Sequence, residues 1–371
     1  MIFFEKGKVW ADASEHSYLI ESFFGKKKGK KIFLSPVEAL YLAEMRNEEI
    51  VSIDTKTPLS LHEIYEGVKP NLTLYFVYKD WKERGLFLLP FSSSASGEPK
   101  PALSYKSSPV CLPPYTLSGI FSAETLTAYI PNPPKTLYTE YWFGQLGDYK
   151  AEQKGKSLKL DVFETAYLSK KGLLSVPREF FRIASSRLPD FEDMLSVYSD
   201  WRDHGYVVKT GFKFGSHFRI YFPGAKPGFA GAWKHSKHVL HVFSEKDRLL
   251  VSEWARAVRV AHSVKKTFIL GMKPSKASSR AKPHFAAFSR EGTAGLTPAT
   301  SKPSYALLCL HEDQYIGGKD FASYLASAEK AGLTLLVAIV DRETSVTYYE
   351  IKRIQLAESP LSYFEIAWVQ P

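Results

Sequence analysis

Hydrophobic positions in this chain keep two periods, and the pattern of their succession is written more than once. Residues 254–270, "WARAVRVAHSVKKTFIL", open with apolar side chains three and four apart, as on a helix with one buried face. They close on an apolar run short enough for a buried strand. Trp254, Val258 and Ala261 form one helical stripe, whereas Arg259, His262 and Lys266 share another. The same helix-to-strand design returns at 321–337, "FASYLASAEKAGLTLLV". The register between them also carries "SHFRIYFPGA" (216–225) onto "PHFAAFSREG" (283–292), and "HSKHVLHVF" (235–243) onto "KPSYALLCL" (302–310), two strand patterns.

A second duplication lies nearer the N-terminus. "FVYKDWKERGLFL" (76–88) matches "SVYSDWRDHGYVV" (196–208), with Val77, Tyr78, Asp80, Trp81 and Gly85 recurring as Val197, Tyr198, Asp200, Trp201 and Gly205. Upstream, 18–43 and 137–169 each read as an apolar helix, a basic glycine turn, a short strand and a second helix. The later copy is longer around Gln145–Lys156. Such repeats fix the organisation before any single motif does. They predict a first N-terminal unit over 1–90, a Ser- and Pro-rich joint over 91–118, and a second N-terminal unit over 119–204. A C-terminal unit over 205–272, a short joint over 273–282 and a second C-terminal unit over 283–371 complete the chain.

Composition narrows the partner. With 371 residues, 44% of them hydrophobic and 14% aromatic, the chain can bury several cores. Its net charge of +10 suits a polyanion: RNA, DNA or an acidic membrane surface. Two cysteines, Cys111 and Cys309, imply neither a disulfide framework nor a cysteine zinc site, and fit a reducing cytoplasm. The N-terminal "MIFFEKGKVW" has no signal-peptide pattern, and no run approaches the ~18 apolar residues of a membrane span. A soluble protein is expected.

The duplicated C-terminal units supply a control within one molecule. Tyr221 of the first is answered by Phe288, His235 by Lys302 and Lys266 by Leu333, while Ala255 and Ala261 persist as Ala322 and Ala328. One copy reads as armed and the other as structural. A Tyr, a His and a Lys without a carboxylate suit cleavage of RNA by its own 2′-hydroxyl. One group takes the 2′-OH proton, another protonates the departing 5′-oxygen, and a cation offsets charge on the phosphorane. Imidazole suits the acid role and lysine the point charge. Tyrosine is a poor base until cations lower its pKa, a task assigned here to Lys209, Lys213 and Arg219 in the hairpin "GYVVKTGFKFGSHFRIY" (205–221).

That hairpin, followed by "KHS" and "RAVRVAHSVKK", resembles the archaeal tRNA-splicing endonucleases, in the three-unit fused form of the family. The resemblance covers 196–272 most strongly and extends to the N-terminal units and to "LLVAIVDRETSVTYYEI" (335–351). It implies an α+β fold: N-terminal units of short helices on a small antiparallel sheet, and C-terminal units of mixed sheet flanked by helices in the restriction-endonuclease-like manner. It implies metal-independent cleavage of intron–exon junctions in bulge–helix–bulge precursor tRNA, without cofactor, leaving 2′,3′-cyclic phosphate and 5′-hydroxyl ends. The catalytic roles then fall on Tyr221 as base, His235 as acid and Lys266 as transition-state stabiliser. Arg259 takes the place of an arginine that stacks on a bulge base, with Arg280 as candidate for its partner, since the first C-terminal unit lacks the strand that carries it. Lys150, Lys154 and Lys156 in the longer turn are candidate RNA contacts. Glu312 and Asp313 supply the acidic loop through which a homodimer would assemble four C-terminal units.

Competing readings remain in view. A non-catalytic RNA-binding or assembly subunit would not need the intact Tyr221, His235 and Lys266. A divalent-metal nuclease needs paired carboxylates near a lysine, and 205–243 contains no acidic residue. His235, His238 and His241 invite a zinc site, but on a strand the middle one faces away from the other two. "KKKGKK" (26–31) reads as a solvated turn or as a nucleic-acid patch.

Overall fold

The structure is a computed structural model of all 371 residues, described except at 93–96, 99, 111, 148–154, 212–214, 229–234, 274–280 and 292–293. Among the described residues it is a mixed α+β chain with ten helices and several sheets. None of these helices is long and apolar enough to cross a membrane.

Each N-terminal unit is a small sheet backed by helices. In the first, the strand order is Lys26–Lys28, Lys31–Leu34, Lys8–Asp12, Ile2–Glu5, Ile50–Ser52. The last pair is parallel, so this sheet is mixed rather than purely antiparallel as expected. In the second unit Gln145–Leu146, Ser157–Leu160, Thr127–Pro131 and Ile120–Ser122 pair antiparallel throughout. The following helices, Pro36–Met45 and Val162–Lys170, start alike. Ser35 and Asp161 cap them, while Glu38 and Glu164 reach back to the cap amide and to the amides of Gly25 and Gly144.

The two C-terminal units share one continuous sheet. From one edge the order runs Val207–Thr210, Phe218–Tyr221, His238–Val242, Thr267–Met272, Ser362–Val369, Val346–Leu356, Thr334–Val340, Tyr305–His311, Phe285–Ala287, Leu88–Pro90. The helices Val251–Ser263 and Gly318–Lys330 pack together on one face, where Trp254, Phe321 and Val337 share a core. Their N-termini are satisfied reciprocally. Val251 N–H donates to the Gln314 carbonyl at 2.9 Å, and Gly318 N–H to the Asp247 carbonyl at 3.0 Å.

Chain order and spatial order differ. The first N-terminal unit packs on the second C-terminal unit, and Tyr78, Trp81, Leu307 and Tyr348 sit in one core. The second N-terminal unit packs on the first C-terminal unit, with Tyr198, Trp201, Ile220 and Tyr363 in another. One lobe is therefore nested inside the other.

A further short repeat makes this nesting work. "TYYEIKRIQ" (347–355) and "SYFEIAWVQ" (362–370) are two arms of one hairpin. Phe268 pairs with Ile366 as Leu335 pairs with Ile351. The strand expected to be missing from the first C-terminal unit is thus supplied by Ser362–Val369. Each arm anchors to its own lobe: Tyr348 O–H donates to Asp80 at 2.5 Å, and Tyr363 O–H to Asp200 at 2.6 Å. His217 and His284 likewise occupy equivalent places, accepting at Nδ1 from Val242 N–H and Cys309 N–H, each at 3.0 Å.

The 91–118 joint is built into the fold. Leu103–Tyr105 pairs in parallel with the end of Val346–Leu356, and Ser108 N–H donates to the His204 carbonyl at 3.0 Å.

Candidate active site

Three strands bring the sequence-predicted residues to one end of the sheet. Tyr221 closes Phe218–Tyr221, which stops as the chain enters Pro223 and Gly224, the latter at φ +76. Ile220 pairs with His238, and Lys237 N–H continues that ladder to the Ile220 carbonyl at 3.1 Å. His238 pairs in turn with Thr267, and Thr267 N–H donates to the Lys237 carbonyl at 3.2 Å. Tyr221, Lys237 and Lys266 are thus in register at the same end of three neighbouring strands, and His235 lies two residues before Lys237 in the segment leading into the middle strand. With strands ~4.8 Å apart, the backbones of Tyr221 and Lys266 lie within about 10 Å across the sheet.

Their surroundings differ. Tyr221 is buried, its ring 4.7 Å from that of Trp142 in the second N-terminal unit. His235 is exposed. Lys266 is half-buried, and its ammonium donates to the Ser236 carbonyl, which ties it to the segment carrying His235. Burial, reinforced by Arg219, lowers the Lys266 pKa from its ordinary value. Lys266 does not continue the helical stripe: the helix ends at Ser263, Lys265 takes φ +55, and Lys266 leads into the strand. Arg259 and His262 remain exposed on the helix. Arg259 donates to the Tyr349 hydroxyl at 3.2 Å, across the lobe boundary.

The cations assigned to the phenol are placed otherwise. Lys209 is buried against the second N-terminal unit, donating to Glu164 at 2.6 Å and to the Gly144 carbonyl at 2.9 Å. Its charge is neutralised there, so it clamps two units together instead of biasing Tyr221. Arg219 donates to the Thr210 carbonyl at 2.7 Å. Lys213 lies outside the described residues, as do Arg280, Lys150 and Lys154. Lys156 is exposed beside the second N-terminal sheet.

In the sister lobe Phe288 is buried, Leu333 is buried and Lys302 is exposed. Glu312 and Asp313 lie in the turn between Tyr305–His311 and Tyr315–Gly317. Arg342 clasps Asp313 at 2.7 Å and donates its own amide to Glu312 at 3.0 Å.

The histidines of this segment have separate surroundings. His238 lies between Tyr105 and Phe222, and His241 stacks on His217 at 4.2 Å. Burial, with Lys237 and Lys266 nearby, pushes the His238 pKa down to about 4, and burial pushes His241 to about 3. Among the described residues no three His, Cys, Asp or Glu are placed to hold a metal ion.

Sequence patterning missed two features here. The Trp142 contact joins residues from different units, and only the match of Trp142 to Phe23 in the first unit hinted at a fixed aromatic there. Both take positive φ, +46 and +59. The Glu164–Lys209 pair had no local signal beyond the capping box.

A phenol, an imidazole and an amine lie toward one end of the sheet in one lobe, and its twin carries Phe288, Lys302 and Leu333 at the matching positions, which defines a duplicated chain with a candidate site in one half. Comparison with known proteins gives that chain its family. The tRNA intron endonuclease N-terminal domain profile matches residues 4–65 and 119–183, and the catalytic C-terminal domain profile matches 191–279. The tRNA-splicing endonuclease of Pyrococcus abyssi is 33% identical over 144 residues, covering 37% of this chain and 76% of the relative. That of Pyrococcus furiosus is 39% identical over 129 residues, covering 33% and 71%. That of Methanococcoides burtonii is 25% identical over 319 residues, covering 67% and 88%. The chain belongs to the tRNA intron endonuclease family, and its activity is that of a tRNA-splicing endonuclease.

Proposed function

We propose that Tyr221, His235 and Lys266 form the cleavage centre and that it works without metal. Tyr221, acting as its phenolate, accepts the 2′-hydroxyl proton of the nucleotide at the junction and becomes the phenol, and the resulting alkoxide attacks the adjacent phosphorus. His235 delivers a proton to the departing 5′-oxygen as its bond to phosphorus breaks. The products are a 2′,3′-cyclic phosphate and a 5′-hydroxyl, with protons balanced between the two side chains. Lys266, held by the Ser236 carbonyl, faces the charge that builds on the phosphorane. The observation that carries this reading is the convergence of the three strand ends, set against Phe288, Lys302 and Leu333 at the sister positions.

The substrate is read as bulge–helix–bulge precursor tRNA. Arg259 offers its guanidinium to an unpaired base, while Lys156, with Lys150, Lys154 and Arg280, contacts backbone. Two copies of the chain complete a set of two armed and two structural lobes. Glu312 and Asp313 contribute to that contact from a patch where Asp341 and Glu343 add to their charge and Arg342 offsets part of it.

The test is cleavage of a model bulge–helix–bulge RNA by the purified chain in excess chelator. His235→Ala should slow cleavage by roughly 10²–10⁴-fold. Activity that vanishes with chelator and returns with a divalent ion would sink the metal-free reading. Sedimentation should show a dimer that Glu312→Lys with Asp313→Lys weakens.

A further inference from the structure

The outer face of the first N-terminal sheet is not used by the cleavage centre. Ile2, Val9, Ala11, Ile32 and Leu34 fill the inner face. Alternate positions present three aromatic rings outward: Phe3 opposite Trp10, and Trp10 opposite Phe33. The Phe3 and Trp10 rings lie 4.8 Å apart. All three are only partly covered, and none of them joins the core beneath.

Cations frame these rings. Five of the six residues from Lys26 to Lys31 are lysine. Lys26 pairs with Phe33 and Lys28 with Lys31, so Lys26, Lys28 and Lys31 share the aromatic face. The Lys31 ammonium sits 3.4 Å from the Trp10 ring centre, and that of Lys28 is 6.0 Å from Phe33. Glu5 and Asp12 are the acids on this face, and Asp12 accepts from Ser14 in its own turn at 2.8 Å. The Trp10 indole N–H is buried with no partner.

The fold itself does not require this arrangement. In the second unit the Trp10 position is Tyr129, which pairs with Lys159 where Trp10 pairs with Phe33. Ile120 stands opposite Tyr129, and Gln145 stands opposite Lys159 where Lys26 would be. That sheet forms with one ring of the three and with Gln145 in place of Lys26.

We infer that the Phe3–Trp10–Phe33 face, with Lys26, Lys28 and Lys31, is a second RNA-binding surface that takes a single-stranded segment of the precursor. Partly exposed rings accept bases of any sequence by stacking, and the lysines track the phosphates. A neutral protein partner would leave the lysines unmatched, whereas unpaired RNA matches both rings and charge. The surface sits on the lobe that lacks the cleavage centre and so lengthens the grip on substrate without entering the chemistry. This inference rests on the chain's activity toward precursor tRNA.

The test uses the full chain and a labelled single-stranded 2′-O-methyl adenosine 12-mer, which cannot be cleaved. Trp10→Ala should weaken binding by about tenfold or more, and Trp10→Phe by no more than about threefold. Lys26→Gln with Lys28→Gln and Lys31→Gln should flatten the slope of log K against log salt by about 2. Wild-type affinity and slope in all variants would overturn the inference, as would equal losses in Trp10→Ala and Trp10→Phe. Tighter binding of the lysine-rich face to anionic phosphatidylserine vesicles than to the 12-mer would overturn it too. His235→Ala should bind the 12-mer as wild type does, so failure of the cleavage-centre reading shows as retained cleavage in that variant and leaves this result standing.

Discussion

Replacing Lys266 by glutamine tests the cleavage centre most directly, because its role is electrostatic and its size can be worked out. An ammonium ~4 Å from a developing phosphorane charge, at an effective dielectric of ~20, interacts by about 4 kcal/mol. That amounts to a loss of roughly 10³-fold in the single-turnover cleavage rate. RNA affinity should change little, since Lys266 is half-buried at a strand end and tied to the Ser236 carbonyl. Lys266→Arg keeps the charge but offers a planar fork in place of a point, and should recover only part of the rate.

The pH dependence adds a second signature. Burial and Arg219 lower the Lys266 pKa, so the alkaline fall in cleavage rate should begin below the ordinary lysine value of ~10.4. In the same window the unfolded chain binds the proton more tightly than the folded one, so the contribution of Lys266 to stability rises with pH while activity falls. Lys266→Arg should abolish that alkaline limb. A rate loss under tenfold in Lys266→Gln, or a loss confined to substrate affinity, would refute the role assigned to it.

The two hairpin anchors should differ in strength. Tyr363→Phe leaves a nearly buried Asp200 with the neutral Ser359 hydroxyl as its short hydrogen bond and should cost about 2 kcal/mol, whereas Tyr348→Phe leaves the more exposed Asp80 held by both arms of Arg84 and should cost about 1 kcal/mol; thermal unfolding should show the larger drop, about 3 °C, for Tyr363→Phe. Lys209→Met leaves Glu164 buried without its cation and should destabilise by about 3–5 kcal/mol in denaturant titration. Adding Glu164→Gln should restore much of that loss, and simple additivity of the two changes would count against the clamp. Trp142→Ala removes the ring against Tyr221 and should cost about 3 kcal/mol while lowering the cleavage rate more than RNA affinity. An unchanged rate in a folded Trp142→Ala protein would separate Tyr221 from its support.

Much of this was legible in the chain itself, because repeats report on each other. The offset that pairs Tyr221 with Phe288 also pairs His217 with His284, and the structure gives those histidines equivalent backbone partners, Val242 and Cys309. The candidate site was legible for the same reason: three differences stood out against an otherwise retained apolar scaffold. What patterning missed lies where contacts cross units. A 3.6-residue period runs through Lys266 without interruption, and only the left-handed turn at Lys265 takes it off the helix. Lys209 reads as a hairpin cation until a separate unit brings Glu164 to it. The repeat of 347–355 as 362–370 is shorter than a unit and sits inside one hairpin, so periodicity alone shows two strands and not which lobe each one completes. Which N-terminal unit packs on which C-terminal unit is set by docking of apolar faces, and nothing in local sequence encodes it.

The shared hairpin explains why a disarmed lobe persists. Its two arms carry the same Tyr–x–Glu–Ile pattern, and each lobe draws one arm into its own ladder and its own aspartate anchor. The catalytic lobe therefore cannot close its sheet without a strand that follows the structural lobe in sequence. Loss of the second C-terminal unit would leave Thr267–Met272, the strand that Lys266 introduces, as an edge paired only with His238–Val242. The reciprocal caps at Gln314 and Asp247 bind the two helices by the same exchange. Substitutions such as Phe288 and Leu333 cost the second lobe nothing in this arrangement, because what the catalytic lobe requires of it is backbone pairing and apolar burial. On the proposed assignment, selection on cleavage acts on Tyr221, His235 and Lys266 and, through the hairpin, on the skeleton of both lobes.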